Sequence, residues 1–267
     1  MSKALEELNQ IRSEAILGRM PLPSIALFTS QEKKLAQLHF ADFLSEEEAV
    51  PDALAKTRFW RLGAVRLCSF VTGVGSASMD RILVSAAARG IRYVIGVESC
   101  GIVDPETSVG TTIIASSALG DGTPYRYYRN RLARMGVLPR QSPVGPSPAV
   151  LALAQAACSP EDPNIRVGRI FSTDLIMHES HHVVKRYARL QCLGADMETA
   201  TLYAGSAFMG IRALGVLIGA DNMSTGIHYL NKRAAFEQGL ARYHQVLRQV
   251  IRGIDALQQT DNSGIGN

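Results

Sequence analysis

The sequence lacks the marks of several environments. No apolar run approaches the about 18 residues of a membrane-spanning helix, so no membrane partner is expected. Met1 to Met20 carries Glu6, Glu7 and Glu14 and no continuous apolar stretch, which excludes a secretory signal there. Only four cysteines occur (Cys68, Cys100, Cys158 and Cys192), far apart and never as CxxC. A zinc site built from them is not expected, and reduced thiols in the cytoplasm are the default. Basic residues outnumber acidic ones by only 28 to 24, with no run of five, so nothing points to a nucleic-acid partner. The glycine-rich Gly73-Val74-Gly75-Ser76-Ala77-Ser78 lacks the third glycine of a dinucleotide fingerprint, so no such fingerprint is paired with an acidic ribose residue about 20 residues on, which argues against a dinucleotide-dependent oxidoreductase.

What is present is an alternation of strand and helix patterns. Strands are expected at 24–29, 64–71, 93–97, 111–115, 167–171 and 213–219. Helical spacing runs through 31–38, 76–90, 149–158, 198–209 and 233–258, the last with Leu240, Tyr243, Leu247, Val250 and Ile254 on one stripe. Such alternation predicts an α/β fold with a largely parallel or mixed sheet covered on both faces. Residues 1–20 read as a helical extension, 21–258 as one domain, and 259–267 as a flexible tail. Tyr125-Arg126-Tyr127-Tyr128-Arg129, beside Gly120-Asp121-Gly122, reads as a loop or a subunit contact.

In such sheets ligands sit at the carboxyl ends of strands. Three expected strand ends bear suitable residues. Thr72-Gly73-Val74-Gly75 precedes a helix whose free N–H groups could meet an anion or hydroxyl, or be capped by Ser76 or Ser78. Glu98-Ser99-Cys100-Gly101 is the second. At the third, Ala220-Asp221, the aspartate could cap the next segment or act as an acid. Asp196 and Glu198 could likewise do no more than complement the dipole of the helix they open. His178, His181 and His182 have helical metal-ligand spacing but no convergent further ligand, and surface histidines are the commoner case.

Taken together, Thr72-Gly73-Val74-Gly75, Ser99-Cys100-Gly101-Ile102-Val103, Val109-Gly110, Phe171-Ser172-Thr173-Asp174-Leu175, Asp196-Met197-Glu198-Thr199-Ala200 and Ala220-Asp221 resemble the nucleoside phosphorylase and nucleosidase superfamily, in order and spacing, over roughly 24–256. That superfamily includes hexameric bacterial purine nucleoside phosphorylase, uridine phosphorylase and methylthioadenosine nucleosidase. The resemblance implies a three-layer α/β/α sandwich with a central mixed, partly barrel-like sheet. It implies that Glu198 holds the ribose hydroxyls, with Met197 and Ser99 against the sugar. It places Ile176, Met177, His178 and Asp196 at the base, and Asp221 as the acid that protonates purine N7. No uracil-binding glutamine and arginine follow Asp174, which favours purine-type substrates.

The departures concern the nucleophile. Lys34, Gly73 and Gly75 are the expected anion or nucleophile pocket, yet Lys34 replaces an arginine, and a second arginine position is Gly96. Lysine does not reproduce a bidentate clamp. The glycine position two places on is Glu98, whose charge opposes phosphate. Water becomes the favoured nucleophile, with Glu98 the candidate base and Glu32 a looser one. No cofactor is expected beyond inorganic phosphate as a co-substrate if phosphorolysis occurs. The partners expected are a small nucleoside and further copies of the chain, as dimer, trimer or hexamer. A non-catalytic nucleoside-binding or storage protein of the same fold is the alternative.

Overall fold

A computed structural model describes residues 3–31, 38, 40–50, 53–139, 142–159, 161–176 and 180–263, without the side chains of 3–6 and 261–263. Ten strands form one mixed sheet: β1 (Ile25–Thr29), β2 (Ser45–Ala49), β3 (Arg58–Leu62), β4 (Val65–Val71), β5 (Tyr93–Ile102), β6 (Thr112–Gly120), β7 (Ile165–Ser172), β8 (Cys192–Asp196), β9 (Arg212–Asn222) and β10 (Ile227–His228). The order is β10-β9-β6-β7-β8-β5-β1-β4-β3-β2, and β9 also pairs with β5. That extra pairing closes β5, β9, β6, β7 and β8 into a ring, from which β1, β4, β3 and β2 extend as an open sheet. This is the mixed, partly barrel-like sheet that the sequence led us to expect.

Among the described residues, seven helices cover it: α1 (Lys3–Leu17), α2 (Ser76–Ala88), α3 (Thr123–Arg134), α4 (Pro148–Ala156), α5 (His181–Arg189), α6 (Thr199–Met209) and α7 (Arg233–Ser263). On one face Val150 and Ala154 of α4 and Leu240, Tyr243, Leu247, Val250 and Ile254 of α7 share a core with Ile95, Val97 and Val216 of the sheet. On the other, Leu17 of α1, Ile82 and Leu83 of α2, Tyr125 and Tyr128 of α3, and Leu202 and Tyr203 of α6 pack against Phe28, Val94 and Ile113. The three layers follow from these two apolar faces.

Several boundaries differ from the sequence reading. β5 runs on through Ser99, Cys100 and Gly101, and β9 through Asp221, because the pairing continues there: β5 with β9 and, from Gly101, with β8, and Asp221 with both β5 and β10. The 125–129 segment is not a loop: Tyr125 and Tyr128 are the buried stripe of α3, opened by Pro124 in its first turn. α7 continues through Ser263, past the expected start of the tail at 259. The helix expected at 31–38 falls mostly outside the described residues.

Candidate active site

Gly101 is the hub of the site. In β5 it pairs with Ala195 of β8 on one side and Asp221 of β9 on the other. Strands lie about 4.8 Å apart, so Ala195 and Asp221 flank Gly101 at roughly 10 Å from each other. The segment 196–198 thereby enters from one side and Asp221 from the other. The β5–β9 register shifts between Cys100 and Gly101, where Cys100 pairs with Gly219 and Gly101 with Asp221. Ala220 is the extra residue of this bulge, and a bulge re-aims the side chain that follows. A Cβ on Gly101 would lie 2.9 Å from the Met223 side chain and 3.3 Å from Asp221 Oδ2, so glycine leaves the room Asp221 occupies.

Glu198 stands just before α6, and its carboxylate is buried. Oε1 accepts the Gly75 N–H at 2.7 Å, and Oε2 accepts the Met197 N–H at 3.2 Å. Gly75 can present that N–H because it has φ +89°, the left-handed region glycine tolerates. The Met197 methyl lies 3.8 Å from where a Gly75 Cβ would be, which ties the 196–198 segment to the glycine turn. Asp196, expected at the base, is committed elsewhere. Oδ1 accepts the Ser172 hydroxyl, and Oδ2 accepts the Thr199 N–H at 3.0 Å and the Thr199 hydroxyl. Burial pushes its carboxyl up, against the hydrogen bonds that favour the charged form. Asp196 therefore fastens the end of β7 to the start of α6 and holds Glu198 in place.

Asp221 is half-buried at the end of β9. Burial raises its carboxyl above the ordinary range, opposed by His228. Glu98, the candidate base, is buried. It accepts the Ser30 N–H on one oxygen and the Ser30 hydroxyl at 3.1 Å on the other, at the carboxyl end of β1. Ser99 next to it is half-buried. A Cβ at position 96 would lie 2.8 Å from the Leu202 side chain of α6, so a larger residue there would require Leu202 to move. Gly73, also at positive φ (+85°), turns the chain into α2.

A family model described as the phosphorylase superfamily matches residues 15–254. The chain belongs to the phosphorylase superfamily. It is 31% identical over 137 residues to the DeoD-type purine nucleoside phosphorylase of Myxococcus xanthus, covering 51% of this chain and 54% of that protein. To a DeoD-type purine nucleoside phosphorylase of Bacillus cereus it is 31% identical over 161 residues, covering 58% and 63%. The matches thus span between about half and two thirds of these relatives. The uridine phosphorylase of Vibrio fischeri ES114 has the same fold, with a TM-score of 0.72, 16% identity, and coverage of 88% of this chain and 92% of that one.

Against this superfamily background, some expected site residues are not placed. Lys34, Glu32, Met177 and His178 lie outside the described residues. Ile176, 44% exposed, ends a described segment. His181 and His182 open α5 on its exposed side. Two contributors were not singled out from sequence. Asp174 caps α2, its Oδ1 accepting the Ser76 N–H at 2.8 Å and its Oδ2 the Ser76 hydroxyl at 2.5 Å. Its place in Phe171-Ser172-Thr173-Asp174-Leu175 was the available signal. His228 pairs directly with Asp221 across β10 and β9, and a two-residue strand leaves no sequence signal.

Proposed function

We propose that this chain is an enzyme that cleaves the N-glycosidic bond of a purine-type nucleoside, releasing the free base and a ribose product, with water favoured over phosphate as the attacking group. The supporting observation is the placement of Asp221 and the Glu198 segment on opposite sides of Gly101. A nucleoside laid across that gap puts its sugar at Glu198 and its base at Asp221. As the bond breaks, the sugar gains positive charge, and a fixed carboxylate stabilises it without reorganisation. Asp221, kept protonated more readily by burial, donates to N7 and makes the base a neutral leaving group.

Preference for water is supported by who already occupies the N–H groups at these strand ends. Gly75 N–H binds Glu198, Ser76 N–H binds Asp174, and Ser30 N–H binds Glu98. A phosphate dianion would have to displace or approach these carboxylates. Glu98, hydrogen-bonded at the end of β1, is the candidate to orient and deprotonate the water. Neither reaction needs a cofactor; phosphate serves only as co-substrate if phosphorolysis occurs. The chain is proposed to work as a homo-oligomer in the cytoplasm.

Base release from a nucleoside panel, followed with and without phosphate, tests this. Release without phosphate supports hydrolysis. Strict dependence on phosphate overturns the choice of water and leaves bond cleavage standing. Tight nucleoside binding with no base released under either condition means a binding protein instead.

A further inference from the structure

We propose that His228 reads the 6-position of the base, so that the site takes 6-oxopurine nucleosides, such as inosine and guanosine, in preference to 6-aminopurine ones. The proposal rests on the reading of Asp221 as the N7 acid.

The geometry begins with the turn between β9 and β10. Asn222 accepts from Gly226 N–H (2.8 Å) on its carbonyl and from Ser224 and Thr225 N–H (3.0 and 3.1 Å) on its side chain. Its amide nitrogen donates to the carbonyls of Asp104 and Thr107, at 2.8 and 3.0 Å. The turn is therefore fastened on both sides, and it sets Ile227 opposite Asn222 and His228 opposite Asp221. Ile227 and Asn222 both line a cavity of about 280 Å³ with Glu106, Thr107 and Lys232. Side chains alternate along strands, so His228 and Asp221 point together to the other face. Directly opposed residues hold their Cβ atoms about 5 Å apart, within reach of one small ligand edge.

The tautomer follows from the next residues. His228 Nδ1 accepts the Leu230 N–H at 3.2 Å, so the neutral ring bears its proton on Nε2. The ring lies against Tyr229 with centroids 4.4 Å apart, which limits its rotation. An oriented N–H donor thus stands beside the acid. A purine presents N7 and its 6-substituent on one edge: guanine-type bases offer two acceptors there, adenine an acceptor and an amino donor. With Asp221 donating to N7, a second donor pairs with O6 and opposes an amino group.

The test compares kcat/KM for base release from inosine, guanosine, adenosine and uridine in wild type, H228L, H228Q and D221N. Wild type is expected to favour inosine over adenosine by at least about tenfold, and H228L to bring inosine down to the adenosine level while moving adenosine by less than about threefold. H228Q, whose amide still donates, is expected to keep part of the preference. A wild type that favours adenosine, or an H228L that lowers both substrates alike, overturns the assignment to His228 and leaves the purine reading intact. Release from uridine alone, or undiminished purine release by D221N, overturns the reading of Asp221 and the present proposal with it.

Discussion

The molecule uses carboxylates in two contrasting ways. Along the open edge, Glu46 of β2 pairs with Arg58 at 2.7 Å, and Glu47 with Arg61 and Arg66 at 2.5 and 3.0 Å, all among partly exposed side chains. The arginines beside Glu47 hold its carboxyl below the ordinary range. At the strand ends around Gly101, Asp196 and Asp221 are shifted the other way by burial. Asp196 is bonded there to neutral hydroxyl and N–H groups, as Glu198 is to two N–H groups. The edge carboxylates blunt a sheet border that would otherwise invite pairing with another chain. The strand-end carboxylates are desolvated, a costly arrangement that is usually kept for chemistry.

That contrast can be broken by substitution. D221N should fold normally and lose about 10²- to 10⁴-fold in purine release, measured as kcat/KM. In the wild type, purine release should fall as pH rises through the raised pKa of Asp221, since the proton to be donated is lost there; a pH–rate profile without that alkaline limb would count against the acid role. E198Q should lose about 10²- to 10³-fold, mostly in kcat, because the charge facing the developing cation is gone. D196N replaces one of the two accepting oxygens with an amide donor, set against either the Ser172 hydroxyl or the Thr199 donors, and should cost about 1–3 kcal/mol of stability, seen as a melting temperature lower by several degrees. E47A should leave both base release and melting temperature unchanged, as exposed ion pairs seldom contribute measurably. If E47A cost more than D196N, the division between edge and site carboxylates would fail.

Much of this was legible in the sequence, because it depends on local pattern. The Ala-rich run with Ile82, Leu83 and Ala86 marked α2, and the apolar stripe of α7 marked the helix covering one face. The doubt over Asp196-Met197-Glu198 was whether these acids only open a helix. The structure divides the answer: Asp196 does bond the first turn of α6, while Glu198 reaches back to Gly75. Nonlocal facts were hidden. β8 is five residues around Gly194 with no clear alternation, and β2 is exposed along its whole length. Gly96 read as a lost arginine; only packing shows that Leu202 fills the space. The His228–Asp221 pairing is set by a turn, whose register no composition reveals.

β9 is hydrogen-bonded to β5 along one edge and to β6 and β10 along the other, and from Ala213 to Ala220 it is buried throughout. Amides held in this way open only when the whole ring opens, so they should be among the last to exchange with deuterium. Asp221 is the penultimate residue of this strand, whereas His228 rides on the short strap that follows. On the roles proposed for Asp221 and His228, substitutions in 223–232 would change which base is accepted, while the proton donor stays anchored to the strand expected to exchange last.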